Sequence, residues 1–123
     1  MRYLRRQIVC DRLRIALSTS YKVVGSAYGS RICSDDVLEL LNRSRNETQE
    51  IVCELPSDLM TPAEIAAIPE IAESDISERE IINWTKRLRN PAPCFHINKQ
   101  TRRISRSSFL RWIEGTSRIR RRG

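Results

Sequence analysis

Two helix-start motifs of the Ser/Thr-x-x-Glu type divide the second half of this chain into short helices. Thr61 and Glu64 form the first motif, with Pro62 at the first helical position, and Ser77 and Glu80 form the second. In such a motif, two side chains satisfy backbone N–H groups that the first helical turn leaves without partners. The sequence therefore predicts that one helix begins at Pro62 and that another begins after Ser77.

The helix after Ser77 is expected to have an apolar face and a polar face. It should end near Arg89, because Pro91 disfavours the helical conformation of the residue before it. Side chains three or four positions apart share one face of a helix. The predicted inward face comprises Ile81, Trp84, Thr85 and Leu88. The predicted outward face comprises Arg79, Asn83, Lys86 and Arg87.

The rest of the second half predicts a β-hairpin and a final helix. Residues 95–97 alternate between apolar and polar side chains, residues 98–101 have the composition of a turn, and residues 102–104 can return as a second strand. Ser105 is expected to cap the final helix, and Gly115 is expected to end it. The predicted inward side chains of this helix are Phe109, Trp112 and Ile113.

A similar order of elements is predicted in the first half. One helix covers about residues 5–13, and a second helix is capped within residues 18–20 and ended by Gly25. Residues 28–33 form a minimal extended turn, after which Ser34 caps a third helix. Both halves follow the plan of short helix, turn, capped helix, hairpin or turn, and capped helix. This plan indicates a degenerate internal repeat.

The predicted fold class is mainly α with small β-hairpins, because a chain of 123 residues can hold two very small domains. The first domain covers residues 1–45 and the second covers residues 59–115. Residues 46–58 are polar and acidic and contain Pro56, so they are expected to form a linker. Residues 116–123 are expected to form a basic tail, which is either a phosphate-binding arm or simply a charged disordered segment.

Charge is distributed in three blocks along the chain. Residues 1–45 carry nine basic and four acidic side chains, residues 46–80 carry one and ten, and residues 81–123 carry twelve and one. The chain has a net charge of +7, and nineteen of its 22 basic residues are Arg, whose planar guanidinium pairs with phosphates and guanine edges. These charge blocks favour binding to nucleic acid over the alternative that the charges only form an ordinary solvated surface.

Several classes of function are disfavoured. The sequence has no apolar run long enough to span a membrane and no secretory leader pattern, so we expect a cytoplasmic protein that does not bind membranes. Its four cysteines form no Cys-x-x-Cys pair and are expected to be reduced thiols without a metal. His96, the single histidine, is expected to point outward from a strand. We find no catalytic constellation and expect neither an enzyme nor a cofactor.

Four stretches carry a resemblance to a known family. Residues 3–13, 18–22, 76–81 and 102–113 resemble the excisionase and AlpA-like branch of the MerR-type winged helix-turn-helix superfamily. The resemblance implies two tandem winged helix-turn-helix modules. Two features depart from the family pattern in the first module: Arg14 occupies the position of the usual turn glycine, and the wing is shortened to about residues 26–31. In the second module, the turn of residues 68–75 is longer than usual.

The resemblance also implies positions for the DNA contacts. In this motif the second helix enters the major groove, and neighbouring groups hold phosphates. Arg79 and Asn83 are the expected base contacts, because Arg pairs with guanine and Asn with adenine. The other implied contacts on the reading helices are Thr19, Tyr21, Lys22, Lys86 and Arg87, and those on the wings are Arg31, Lys99, Arg102 and Arg103. The aromatic residues Tyr21, Trp84, Phe109 and Trp112 are expected to belong mainly to the cores.

The expected function is sequence-specific regulation of transcription in a phage or another mobile element. An excisionase-type recombination directionality factor is one alternative, and a DNA-recognition adaptor such as a terminase small subunit is another. The acidic residues 46–58 are expected to face away from DNA, as a solvated spacer or as a contact for an integrase, another protein or a second copy. Extended, they would span about 40 Å, which exceeds the roughly 34 Å between successive major-groove faces.

Overall fold

A computed structural model of the chain describes residues 2–116, which form seven helices and two small antiparallel sheets. The protein is therefore a mixed α/β protein built from short elements. The basic tail lies almost entirely outside the described residues. In chain order the elements are β1 (Tyr3–Arg5), α1 (Arg6–Leu13), α2 (Leu17–Val23), β2 (Arg31–Cys33), α3 (Ser34–Ser44), β3 (Leu59–Met60), α4 (Pro62–Ala66), α5 (Pro69–Glu73), α6 (Glu78–Thr85), β4 (Phe95–Asn98), β5 (Thr101–Ser105) and α7 (Arg106–Thr116).

The two sheets share one pattern of connection. In the first half, defined here as residues 2–45, β1 pairs antiparallel with β2, and β2 runs directly into the 11-residue helix α3. In the second half, residues 59–116, β3 pairs antiparallel with β5, and β5 runs directly into the 11-residue helix α7. The difference is β4, which adds a third strand along β5 and gives the order β3-β5-β4.

Equivalent backbone hydrogen bonds occur where each long helix begins. The N–H of Ser34, the first residue of α3, donates to the carbonyl of Arg2 at 2.7 Å, one residue before β1. The N–H of Arg106, the first residue of α7, donates to the carbonyl of Asp58 at 3.0 Å, one residue before β3. Each long helix is therefore joined in the same way to the start of its own half.

Both predicted capping boxes are confirmed. The hydroxyl of Thr61 accepts the N–H of Glu64 at 3.1 Å, and the Thr61 N–H donates to the Glu64 carboxylate at 2.9 Å. The hydroxyl of Ser77 accepts the N–H of Glu80 at 3.2 Å, and the Ser77 N–H donates to the Glu80 carboxylate at 3.1 Å. These bonds set the starts of α4 and α6.

The prediction that α6 continues to about Arg89 is wrong. The helix ends at Thr85, and the carbonyl of Trp84 accepts the N–H of Ala92 at 3.0 Å as the chain folds back. Because Leu88 lies beyond this end, it is 94% exposed instead of facing inward. The predicted turn over residues 68–75 contains the short helix α5, and Gly115 lies within α7 instead of ending it.

In the first half, the three predicted helices are present, but the strand β1 was not predicted and the helix caps differ from the prediction. α2 begins at Leu17 without a side-chain cap from residues 18–20, and Ser34 is the first residue of α3 instead of its cap. Arg14, at the turn between α1 and α2, has a φ of 56° in the left-handed region that favours glycine. Among the described residues β2 pairs with β1 alone and is not preceded by a hairpin strand like β4, so this half has a turn where the second half has a hairpin.

The buried apolar side chains form two clusters. The C-terminal core belongs to the second half and comprises Ile65, Ile68, Ile71, Ile81, Trp84, Ala92, Cys94, Ile104, Phe109, Trp112 and Ile113. The N-terminal core combines residues of both halves and comprises Val9, Leu13, Ile32, Val37, Leu40, Leu41, Leu59, Phe95 and Ile97.

Residues 46–58, the predicted linker, have no helix or strand, but they are packed against the cores. Val52 and Leu55 lie against the N-terminal core. The side chain of Asn42 in α3 donates to the Val52 carbonyl at 2.9 Å and accepts the Val52 N–H at 2.8 Å. Gln49 is 3% exposed. This segment therefore follows a defined path instead of spanning the halves as an extended chain.

Candidate nucleic-acid interface

The outward face of α6 is polar and carries one cation, Arg79, with Lys86 at the C-cap and the exposed carboxylates of Glu78 and Glu80 in the first turn. Arg79, Asn83 and Lys86 are exposed and follow one another at the four- and three-residue spacing of a helix face. Ile81 and Trp84 on the other side of α6 enter the C-terminal core, which fixes the orientation of the helix. The structure therefore brings three of the four predicted α6 contacts onto one solvent-facing surface.

Arg87, the fourth predicted contact, lies after the end of α6. Its guanidinium carbon is 5.9 Å from the centre of the Trp112 ring, a cation–π geometry at the outer limit of distance. The indole N–H of Trp112 donates to the carbonyl of Asn90 at 3.2 Å. Arg87 is exposed and belongs to the turn that follows the helix.

The tip of the β4–β5 hairpin carries exposed cations. Lys99 is exposed in the turn, where the N–H of Gln100 donates to the side chain of Asn98 at 2.9 Å. Arg102 is half-buried and lies opposite His96 in the strand register. His96 is exposed, which confirms its predicted outward direction. Of the three predicted hairpin contacts, Lys99 is therefore fully solvent-exposed and Arg102 partly so.

Arg103 faces the first half of the protein instead of the hairpin's outer side. Its Nε donates to the carbonyl of Leu13 at 2.8 Å, and its Nη2 donates to the carbonyl of Arg14 at 2.6 Å. Its Nη1 donates to the carbonyl of Arg102 at 2.6 Å. Burial lowers the pKa of the Arg103 guanidinium. Its predicted phosphate contact thus competes with bonds that it already makes at the C-terminal end of α1.

Helix α2 carries three of the four contacts predicted for the first half. Thr19 is half-buried, Lys22 is exposed, and Tyr21 is 40% exposed. The expectation that Tyr21 belongs to a core is wrong, because its ring covers the guanidinium of Arg6, whose carbon lies 4.0 Å from the ring centre. The guanidinium of Arg6 therefore supports the surface of α2. The sequence alone does not distinguish Arg6 from the other arginines near it.

Arg6 is 2% exposed and connects three parts of the first half. Its Nε donates to the carbonyl of Gly29 at 2.8 Å, and its Nη2 donates to the carbonyl of Gly25 at 2.7 Å. Its Nη1 donates to the hydroxyl of Ser20 at 3.1 Å. Arg6 thereby holds α2 and the turn before β2 against α1.

A basic depression of about 430 Å³ lies beside Arg6. Arg5 and Arg31 are exposed and lie directly opposite each other in the β1–β2 register. No carboxylate within residues 2–116 comes within 4.0 Å of either guanidinium. Arg31 was predicted from sequence and Arg5 was missed, although its place opposite Arg31 follows once β1 and β2 are paired. The lining residues are Arg5, Arg6, Gln7, Leu17, Tyr21, Ser30 and Arg31.

Two acidic residues of the middle segment have partners in α7: Glu50 lies 4.0 Å from Arg111, and Asp58 accepts hydrogen bonds at the first turn. The carboxylate of Asp58 accepts the N–H of Ser107 at 2.9 Å and its hydroxyl at 2.8 Å, at the first turn of α7. It also accepts the hydroxyl of Ser105 at 3.0 Å. Burial on its own would raise the pKa of Asp58, but these hydrogen bonds outweigh it, and the pKa is lowered. Asp58 thus stabilises the start of α7.

Between residues 2 and 116, no three side chains of metal-binding type come together, and no helix is long and apolar enough to cross a membrane. Cys10, Cys33, Cys53 and Cys94 are free thiols. Burial raises the pKa of the Cys94 thiol to about 12, far from the range of a reactive nucleophile.

Comparison with known proteins adds no constraint on function. No protein-family model matches the chain, and no curated protein sequence or solved structure shows significant similarity to it. Function must therefore be inferred from the geometry and charge of this chain.

Proposed function

We propose that this protein binds double-stranded DNA in a sequence-specific manner through two winged helix-turn-helix modules, and that it regulates transcription in a phage or another mobile element. One observation carries the proposal. The helix α6, which presents Arg79 and Asn83 to solvent, and the strand β5, which carries Arg102 beside the hairpin tip, both contribute side chains to the C-terminal core. A reading helix beside a cationic wing is the arrangement by which this motif engages a duplex.

The dimensions and chemistry of α6 fit the role of reading helix. Its eight residues make a rod about 12 Å long, comparable to the roughly 12 Å width of the major groove. Arg79 lies in the first turn, where a recognition helix contacts base edges, and Asn83 follows one turn later. Arg79 would donate to guanine, Asn83 would pair with adenine, and Lys86 would contact a phosphate.

The hairpin supports a role as the wing of the second module. Lys99 and Arg102 would contact the phosphate backbone beside the groove that α6 enters. Arg103 is omitted from this set because its guanidinium is bonded to the first half. Lys99 and Arg102 would add affinity that depends on salt but not on sequence.

The first module would contact DNA through α2 and the basic depression. Thr19 and Lys22 would lie toward base edges, and Arg5 and Arg31 would flank a phosphate. Two unpaired like charges held opposite each other on adjacent strands are destabilising. An anion between them would relieve that repulsion, which favours phosphate binding over simple solvation.

The proposal is tested by selecting bound duplexes from a random pool and then measuring variants on the selected site. Arg79→Ala should weaken binding to that site by about 5- to 150-fold and relax preference at one base pair, whereas Lys99→Ala should weaken binding to all sequences and reduce the salt slope by about one. Arg43→Ala is the matched control, because Arg43 is exposed on α3 and pairs with Glu39 at 3.6 Å. Equal losses for Arg79 and Arg43 variants would contradict the α6 assignment.

The same selection separates regulation from excision. Selected sites at promoters, with altered transcript levels, would support the regulator. Sites confined to attachment-site arms, with a changed outcome of integrase reactions, would support an excisionase-type directionality factor instead. Both roles use the same interface, so the residue assignments stand in either case.

A further inference from the structure

The two halves of this protein share one of their cores. Phe95 and Ile97 alternate on one face of β4, and that face enters the N-terminal core against α3. Phe95 is fully buried there, and its backbone also forms a bridge with Arg45 just after α3. Leu59, at the start of β3, is buried in the same core. Rotating one half against the other would expose these side chains to water.

Arg103 adds a polar contact between the halves. Its guanidinium lies on the face of the hairpin that it shares with Phe95, its partner in the strand register. It donates to the carbonyls of Leu13 and Arg14, where α1 ends. α2 begins at Leu17, three residues later. One side chain of the proposed wing therefore holds the turn that leads into the reading helix of the other half.

A second set of hydrogen bonds joins the second half to the start of the middle segment, directly after α3, through Asn46. The Asn46 side chain donates to the carbonyl of Ala92 at 2.7 Å and accepts the N–H of Cys94 at 3.2 Å. The backbone N–H of Asn46 donates to the carbonyl of Cys94 at 3.0 Å. Thr48 continues this contact through a 2.6 Å bond to the carbonyl of Pro91. The segment before the hairpin is thus fixed to the end of α3.

We propose that the shared core and the Arg103 contact hold the two modules in a single arrangement, so that the protein recognises a composite DNA site with two blocks of bases at one fixed spacing. This inference rests on the proposed DNA-binding function. Arg103 is in this view a positioning residue that sets the direction of α2 relative to the wing. A flexible connection between modules would instead tolerate several spacings.

The first experiment changes the DNA and leaves the protein intact. Duplexes selected by the wild-type chain should contain two conserved blocks with one gap length. Inserting one base pair in the gap rotates and shifts the second block by about 34–36° and 3.4 Å. Because a rigid chain can no longer engage both blocks, we expect a loss of about 100-fold. An insertion of ten base pairs restores the rotation but not the distance, so affinity should remain low.

The results separate the inference from the function on which it rests. If the chain enriches no duplex, both are refuted. If it enriches a single block, or two blocks at variable spacing, DNA binding stands and the fixed arrangement is refuted. Recovery of affinity at a ten-base-pair insertion would also refute it, since that behaviour requires a flexible connection.

The second experiment tests the role of Arg103. Arg103→Lys keeps the positive charge but loses the fork of donors that reaches both the Leu13 and Arg14 carbonyls. We expect the affinity of this variant for a duplex with one block to stay within about threefold of wild type. The factor by which a one-base-pair insertion lowers its affinity for the two-block duplex should be smaller by about tenfold or more. Arg43→Lys, a control on the exposed surface of α3 outside the proposed interface, should retain the full loss of affinity on insertion.

A phosphate contact by Arg103 predicts a different pattern. Arg103→Lys would then change affinity on every duplex and leave the spacing penalty unchanged, which would refute the positioning role. If circular dichroism shows that Arg103→Lys does not fold, the insertion series on the wild-type protein decides whether the arrangement is fixed.

Discussion

Replacing Arg6 with Met should destabilise the protein far more than the same change at its neighbour Arg5. Arg6 is 2% exposed and donates three hydrogen bonds, to the hydroxyl of Ser20 and to the carbonyls of Gly25 and Gly29. A hydrogen bond that involves a charged group contributes about 1.5–3 kcal/mol. The sum of these three contributions is an upper bound on the loss of stability. The Met side chain keeps the packing of the aliphatic part of Arg6, and the part-buried carbonyls of Gly25 and Gly29 regain hydrogen bonds to water. We expect a loss of about 3 kcal/mol.

That loss is large for a protein of this size. Native stabilities run at about 0.05–0.15 kcal/mol per residue, or about 6–18 kcal/mol for this chain. At about 4 °C per kcal/mol, the expected fall in Tm is about 12 °C. The assay is urea unfolding followed by circular dichroism, with the slope m compared between variants to check that the unfolded states match. Arg6→Lys keeps the charge but loses the planar fork that reaches all three acceptors, so it should lie between wild type and Arg6→Met.

Arg5→Met is the control, because Arg5 is exposed and precedes Arg6 in the chain. Its unfolding free energy should stay within about 0.5 kcal/mol of wild type. Equal unfolding midpoints for the two Met variants would refute the argument that Arg6 holds α2 and the turn of residues 25–29 in place. A wild-type midpoint for Arg6→Lys would show that charge, and not the geometry of the guanidinium, is what matters there.

Three further outcomes are expected. Asp58→Ala should lower the free energy of unfolding by about 1–2 kcal/mol in urea titrations at neutral pH, because Ser107 loses its acceptor. Since the pKa of Asp58 is lowered by folding, the difference from wild type should be complete above about pH 4 and disappear as pH falls through the folded-state pKa. Alkylation followed by mass spectrometry should modify exposed Cys53 at least about 100 times faster than Cys94, whose pKa is raised to about 12. Phe109→Ala should cost about 3–5 kcal/mol in thermal unfolding, because the ring is fully buried.

Features that depend on residues close in sequence could be predicted from the sequence. The capping boxes of Thr61 and Ser77 are complete within four residues, so the starts of α4 and α6 follow directly from the pattern. The alternation at residues 95–97 likewise predicts β4 and the outward direction of His96. Each of these features is decided by steric and hydrogen-bonding preferences within one turn or one strand.

Features that depend on distant partners could not be predicted. Leu88 continues the helical pattern of α6, but the helix ends at Thr85, where the chain folds back. The sequence of residues 86–92 does not predict the backbone hydrogen bond between Trp84 and Ala92 that accompanies this end. Arg6 and Arg103 resemble their exposed neighbours in sequence. Their acceptors lie 14 to 23 residues away for Arg6 and about ninety residues away for the inter-half bonds of Arg103. Only the tertiary fold distinguishes these two arginines from candidate phosphate contacts.

The shared N-terminal core links the folding stability of this protein to the geometry in which its two halves would bind DNA. A unit of about 45 residues is close to the size below which a single apolar core rarely suffices without disulfides, metals or association. The first half has a two-stranded sheet and no hairpin of its own, and it buries Val9, Leu13 and Leu41 against Phe95 and Ile97 of the second half. The contacts that complete the smaller core therefore also determine the relative direction of the two proposed reading helices. A substitution that freed the halves to move would remove apolar burial from the first half, so a gain in flexibility on DNA would come with a loss of folding stability.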